Sequence, residues 1–146
     1  MGGHPWFYYV PYQPNIEAAL EDLKQAEFAA GRYNPVVPFP DFPVSADSPR
    51  PGPRHATIKA AVRASMEDGT RSILDMDGVS DSPDYCKVCR LSEDELLRLY
   101  STTRPTHEMV EELLFLEDAR RGQGTYIVLY SDGVPSEILF AGYSFD

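Results

Sequence analysis

Apolar residues in the first thirty positions follow a strand pattern and then a helical one. Trp6 to Val10 is a run of four aromatic residues and a valine, the composition of a β-strand. From Ile16 to Ala30 apolar residues recur at the three- and four-residue spacing of one helix face. Asn15 is a favourable N-cap and Gly31 stands where helices often end. The pattern therefore predicts a strand followed by a helix over 16–30.

Three further helices are predicted in the middle of the chain, over residues 56–67, 92–100 and 105–121. The second begins with Ser92 and Glu95 at the spacing of a capping box, and the third with Pro105, which suits a first helical turn. The residues expected in the core are Ile58, Ala61, Val62, Ser65 and Met66 in the first helix, and Met109, Val110, Leu113, Leu114 and Leu116 in the third.

The C-terminal region shows the clearest pattern. Two apolar runs, Thr125–Tyr130 and Glu137–Tyr143, flank the turn sequence SDGVP at 131–135, and Asp-Gly between such runs is a strong hairpin signal. Both faces of the first run are apolar, with Ile127 and Leu129 on one side and Tyr126, Val128 and Tyr130 on the other. Such a hairpin either lies at the centre of a sheet whose two faces are both covered by other elements, or presents one face to a partner.

The order of the elements predicts an α+β fold. A short strand is expected over Ser72–Met76 and a loop over Asp81–Cys89. Two helices then separate the middle strand from the hairpin, which favours a mixed or antiparallel sheet with about four helices packed on it. A chain of 146 residues has the size of one domain, so we expect a single domain over 1–146.

Residues 34–54 form a proline-rich segment that holds seven of the thirteen prolines. This density excludes a helix or a central strand, because each proline removes a backbone donor. The apolar residues between the prolines suggest that the loop packs on the domain. Long loops are often functional, so the segment is a candidate lid or partner contact, and a passive surface crossover is the alternative.

The net charge of −10 narrows the range of partners. An acidic protein repels nucleic acids and anionic membranes, whereas it attracts a basic protein. No signal peptide is visible and no apolar run reaches the roughly 20 residues of a membrane-spanning helix, so a cytoplasmic location is expected. Arginine outnumbers lysine ten to three, which is typical of a GC-rich bacterial genome.

The two cysteines, Cys86 and Cys89, stand in a single C-x-x-C pair. Such a pair offers two of the four ligands of a structural zinc site, and no histidine stands at ligand spacing from it. A thioredoxin-like pair requires a βαβ context that the pattern does not show. We expect reduced thiols of ordinary structural character and no cofactor, with a redox pair or a metal site as the alternatives.

The stretch ILDMDGV at 73–79 resembles the motif that ends the first strand of haloacid-dehalogenase-type phosphotransferases. The resemblance implies that Asp75 attacks a phosphoryl group and that Asp77 works as the acid/base. It covers seven residues, Lys87 is the only lysine that follows, and the repeated strand–helix units of a doubly wound sheet are missing. A metal-dependent phosphohydrolase or phosphotransferase is therefore an alternative hypothesis.

Four aspartates in this region, Asp75, Asp77, Asp81 and Asp84, raise the question of a metal site. Gly78 comes two residues too early for an EF-hand loop. Hard cations such as magnesium and calcium take several carboxylates, so a different site remains open. The other interpretation is that these aspartates cap turns by bonding their own backbone.

Tyrosine, with nine residues, is the most frequent aromatic type and suggests a recognition surface. Tyrosine combines contact area with a polar tip, which suits interfaces as well as a partly wet core edge. The tyrosines proposed to contact a partner lie near the N-terminus and on the hairpin: Tyr8, Tyr9, Tyr12, Tyr126, Tyr130 and Tyr143.

The first functional hypothesis is therefore a non-enzymatic bacterial protein whose acidic, tyrosine-rich surface binds a basic protein, as immunity proteins and antitoxins do. The alternatives are the phosphotransferase built on Asp75 and Asp77, and a small-molecule sensor with its pocket beneath the proline-rich segment. The sequence leaves the oligomeric state open.

Overall fold

A five-stranded mixed sheet forms the centre of the computed structural model, which describes residues 3–146. Across the sheet the strands are β1 (Pro5–Pro11), β5 (Val134–Tyr143), β4 (Gly124–Ser131), β3 (Lys87–Arg90) and β2 (Gly78–Ser80). The pairs β1–β5 and β5–β4 are antiparallel, and β4–β3 and β3–β2 are parallel. The α-helices are α1 (Ile16–Ala30), α2 (Ile58–Ser65), α3 (Glu93–Tyr100) and α4 (His107–Val110). The predicted α+β class is confirmed.

The predicted hairpin is present, and its turn explains its register. Asp132 and Gly133 have φ angles of 52° and 76°, and positive φ at both central residues is what a tight two-residue hairpin turn requires. The turn places Ser131 opposite Val134 and, after one bulge, Ile127 opposite Leu139. The hairpin therefore supplies the two longest strands of the sheet.

The sheet is covered on both faces. Along β5, Ile138 and Phe140 point into one core while Leu139 and Ala141 point into the other, and all four are fully buried. We call these core 1 and core 2. Core 1 packs the sheet against α1, α2 and the proline-rich segment, and core 2 packs it against α3, α4 and residues 113–119. The hairpin therefore lies in the centre of a sheet covered twice and leaves neither face bare.

Helix α1 has the predicted ends. The Asn15 side chain accepts a hydrogen bond from the Ala18 N–H at 3.0 Å, and Gly31 adopts a left-handed conformation in which its N–H bonds back to Glu27 and Phe28. Because Gly31 has no side chain, the proline-rich segment approaches closely, and the Gly52 N–H donates to Ala30.

The proline-rich segment packs on the domain, as its apolar residues suggested. Phe42 stacks edge-on against Tyr8 with ring centroids 5.1 Å apart. The buried Arg71 guanidinium donates to the Pro38 carbonyl at 2.7 Å and lies 4.2 Å from the Phe39 ring. The segment is thus tied to the core 1 side at several points.

The strand predicted over Ser72–Met76 is wrong, because residues 73–75 form a 3₁₀ turn. The Ser72 hydroxyl accepts a hydrogen bond from the Leu74 N–H, and the Ile73 N–H donates to the Tyr8 hydroxyl at 3.2 Å. These side-chain acceptors satisfy backbone groups that a strand would pair with a neighbour. The predicted loop 81–89 is wrong in part, since β3 begins at Lys87.

The long helix predicted over 105–121 is also wrong. Helix α4 spans four residues, Leu113 turns left-handed with φ 54°, and a 3₁₀ turn follows over Leu114–Leu116. The turn buries the adjacent residues Phe115 and Leu116 together, whereas Met109 and Leu114 face solvent. The predicted helix cannot continue through Leu113, because a left-handed residue interrupts the right-handed α-helical backbone.

Helix α2 is shorter than predicted and lies at the edge of core 1. It ends at Ser65 because Met66 adopts a positive φ of 58°. Ala61 and Ser65 are buried as predicted, but Val62 is exposed and Met66 is 81% exposed. The buried stripe of α2 is therefore narrower than its sequence pattern indicates.

A pair of glycines lets a tryptophan lie across the sheet. Gly124 and Gly142 are directly opposite each other, and the fully buried indole of Trp6 covers both. A Cβ atom on Gly142 would lie 2.6 Å from Trp6 Cζ2 and 2.7 Å from the Gln123 carbonyl oxygen. The site accepts no side chain because the neighbouring strand and the ring leave no room.

We expect Gly142→Ala to lower the free energy of unfolding by about 1–3 kcal/mol, since overpacking a filled core displaces its neighbours. Gly78→Ala is the control, because its Cβ would meet only the flexible end of Lys87 at 3.4 Å. Urea unfolding of both variants checks this. A Gly142→Ala protein as stable as the parent would contradict the packing described for Trp6.

Candidate functional site

The elements that cover core 2 carry most of the net negative charge of the protein. Residues 92–118, which we call the acidic layer, hold eight of the 23 acidic residues and two of the 13 basic ones, so their net charge is −6 out of −10. Glu95 is half-buried and the other seven acidic residues are exposed: Glu93, Asp94, Glu108, Glu111, Glu112, Glu117 and Asp118.

Short apolar contacts hold the acidic layer on the sheet. Leu96, Val110 and Phe115 are buried in core 2 against β4 and β5. The Pro105 carbonyl accepts a hydrogen bond from the Tyr130 N–H at 2.9 Å. Tyr130 lies in the part of β4 that extends past its pairing with β3, which ends at Tyr126. The inner side of the layer is therefore apolar, and its acidic residues are turned outward.

A stacked histidine joins the acidic layer to β1 and β5. The His107 ring stacks on the Tyr9 ring, with centroids 4.1 Å apart and an angle of 27° between the ring planes. Its Nδ1 atom is 2.9 Å from Glu137 Oε1, and its Nε2 atom is 3.7 Å from Glu111 Oε1. Burial, and then the charges of Glu111 and Glu137, raise the pKa of the Tyr9 hydroxyl.

Three large apolar side chains are exposed among these charges. Leu97 is 50% exposed, Met109 is 47% exposed and Leu114 is 37% exposed. Single exposed apolar residues are ordinary, but here each of the three elements of the layer contributes one. The outer surface of the layer thus offers apolar contact area together with negative charge.

The structure does not bring the six predicted tyrosines to one surface. Tyr8 is buried in core 1, so it cannot contact a partner. Tyr12 and Tyr126 pack on core 1, whereas Tyr9 and Tyr143 pack on core 2. Tyr130 lies under the Arg104 guanidinium, 5.8 Å from it.

Asp75 lies inside the protein. Its side chain is buried, and its Oδ1 atom accepts hydrogen bonds from the Thr70 N–H and hydroxyl, both at 2.8 Å. Its Oδ2 atom has no hydrogen-bond partner within residues 3–146. Burial raises the pKa of Asp75 to about 6, although the bonds from Thr70 oppose the rise. The carboxyl group is therefore shielded from any substrate.

The other three aspartates lie apart from Asp75 at the surface. Asp77 pairs with Lys87 at 2.6 Å, and Asp84 Oδ1 accepts a hydrogen bond from the next backbone N–H at 2.7 Å, as a turn aspartate does. Asp81 is exposed at the end of β2. In the described part of the chain, no three His, Cys, Asp or Glu side chains form a group that could hold a metal ion.

The cysteines are both free. Cys89 is in β3 and Cys86 directly precedes the strand, and three residues of extended chain span about 10 Å, beyond the reach of a disulfide. Burial raises the pKa of both thiols, so the neutral form predominates. The geometry gives a redox pair no support.

None of three surface cavities formed by residues 3–146 is lined by the proline-rich segment. The most apolar, of about 380 Å³, lies between α3 and the strand ends at Arg90 and Gly124. The pocket predicted beneath the proline-rich segment therefore has no counterpart among them. Within residues 3–146 no helix combines the length and the apolar character needed to cross a bilayer.

Comparison with protein-family models, curated proteins and solved structures finds no significant match to this chain.

The raised pKa of Asp75 predicts a pH-dependent stability. The unfolded carboxyl ionises at a lower pH than the folded one, so the free energy of unfolding falls as pH rises, by about 2–2.5 kcal/mol between pH 4 and pH 7. Asp75→Asn removes this titration. We expect its free energy of unfolding, relative to the parent, to rise by about that amount between pH 4 and pH 7.

Urea unfolding at several pH values measures the difference, and Asp81→Asn at an exposed position is the matched control. A stability difference between Asp75→Asn and the parent that stays constant from pH 4 to pH 7 would exclude a buried, titrating Asp75.

Proposed function

We propose that this protein binds a basic protein partner through the acidic layer. The observation that supports the proposal is the separation of charge. Residues 92–118 carry −6, whereas the other 119 residues hold 15 acidic and 11 basic residues and carry only −4. A concentration of one sign on one covering layer is what electrostatic recognition of an oppositely charged protein requires.

The apolar residues of the layer complete the proposal. Charge speeds encounter and selects the partner, but affinity also needs apolar area that binding removes from water. Leu97, Met109 and Leu114 supply such area within the negative field. A nucleic acid or an anionic membrane would be repelled by the same surface. The role is of the kind that an immunity protein or an antitoxin performs on a cationic target.

The positions of Asp75 and Asp77 do not support the alternative hypothesis of a phosphotransferase. The nucleophile that the resemblance implies, Asp75, is buried and bonded to Thr70, while the implied acid/base, Asp77, has a side chain that is 66% exposed and paired with Lys87. A shared reaction centre requires both carboxyl groups at one accessible position. The two carboxyl groups are separated because residues 71–76 are all buried and the chain reaches the surface only at Asp77.

Neutralising part of the acidic layer should weaken binding of a basic peptide. The probe is a lysine- and leucine-rich peptide. Its binding is followed by the amide chemical shifts of the protein. Removing three charges should raise the dissociation constant about fivefold to tenfold, at about 0.3–0.5 kcal/mol for each charge. The layer variant is Asp94→Asn, Glu112→Gln and Glu117→Gln, and the matched control on α1 is Glu17→Gln, Glu21→Gln and Asp22→Asn.

The control variant removes the same number of exposed charges from the opposite side of the sheet. We expect the control variant to bind the peptide as tightly as the parent does. In both proteins the chemical-shift changes on binding should be largest in residues 92–118. Equal weakening by the two variants would show that total charge, and not the acidic layer, governs binding.

A further inference from the structure

The cavity beside α3 has the size and the wall of a small-molecule site. Its volume of about 380 Å³ falls in the range of ligand pockets in proteins. Leu91, Leu99 and Phe115 form its apolar wall, and the buried residue Cys89 also lines it. An apolar wall with a few polar groups is the usual composition of a site for a small organic molecule.

The position of the cavity in the sheet also suits a ligand. Asp81 follows directly on β2, and Arg90 ends β3, so the cavity lies at the carboxyl ends of two parallel strands. Ligands of sheets with parallel strands commonly bind outside these ends, where the chain leaves the sheet and side chains from different strands converge.

The charges around the cavity are balanced but only partly paired. Arg98 contacts Glu95 at 2.6 Å and Asp118 at 3.8 Å. The remaining charged lining residues are Arg90, Arg120 and Asp81, and none of them has an ion-pair partner within residues 3–146. The lining of the cavity therefore offers a ligand both positive and negative side chains besides its apolar wall.

We propose that this cavity binds a small zwitterion with an apolar body, of the chemical class of a free aromatic or aliphatic amino acid. A carboxylate would pair with Arg120, an ammonium group with Asp81, and the apolar body would contact the wall. A simple anion would leave Asp81 without a partner, and a simple cation would leave Arg120 without one, so each is a poorer complement than a molecule with both charges.

Three matched compounds test the proposal: phenylalanine, phenylpropionate without the ammonium group, and phenylethylamine without the carboxylate. Binding is followed by amide chemical shifts and by protection of Cys89 from a thiol reagent in a Cys86→Ser background. We expect phenylalanine to give saturable shifts around the cavity, to slow labelling of Cys89, and to bind about tenfold more tightly than either analogue.

Two variants assign the charges, and both change exposed side chains. Arg120→Gln should weaken phenylalanine and phenylpropionate and leave phenylethylamine unchanged. Asp81→Asn should weaken phenylalanine and phenylethylamine and leave phenylpropionate unchanged. The proposal is overturned if phenylalanine gives no saturable shifts at millimolar concentration, if the three compounds bind equally, or if either variant weakens all three alike.

Discussion

The hairpin of β4 and β5 is apolar on both faces, and the rest of the structure follows from covering it. Ile138 and Leu139 are consecutive residues of β5, they point to opposite sides of the sheet, and both are fully buried. Burial of such side chains contributes roughly 1.5–3 kcal/mol each, so neither face can stay in water without a large loss of stability. A chain of this size must therefore divide its remaining residues between two covers.

The two covers are different in kind, and that difference decides where function can lie. The cover of core 1 contains the longest helix and the proline-rich segment, which is fixed by the Arg71 and Phe42 contacts. The cover of core 2 is built from short elements, whose inner residues are apolar and whose outer residues are acidic. The proposed protein-binding surface is the outer side of this second cover, and the proposed ligand cavity lies between its helix α3 and the ends of the strands.

Local patterns in the sequence predicted the elements that local interactions stabilise. Helix α1, with its Asn15 cap and Gly31 end, and the Asp132-Gly133 hairpin need only neighbouring residues, and both are present. The 3₁₀ turn at Ile73 was missed because its backbone is satisfied by Tyr8, 65 positions away. Such long-range partners leave no periodic pattern in the sequence.

The candidate site was predictable only in part. A count of net charge in successive segments of the sequence would have located the acidic layer, because residues 92–118 carry −6. The six tyrosines do not share one surface, because alternation along the strands sends neighbours such as Tyr8 and Tyr9 to opposite cores. The cavity could not be found from the sequence, since the sheet brings together Asp81, Arg90 and Arg120 from separate segments.

Truncating Ile138 and Leu139, which are neighbours in β5, tests most directly whether both faces of the sheet are covered. Ile138→Ala probes core 1 and Leu139→Ala probes core 2, and chemical unfolding measures the stability of each variant. If both faces are covered, each substitution lowers the free energy of unfolding by about 2–5 kcal/mol. A loss at Ile138 with a change of less than about 0.5 kcal/mol at Leu139, as at an exposed site, would contradict it and leave the second face bare.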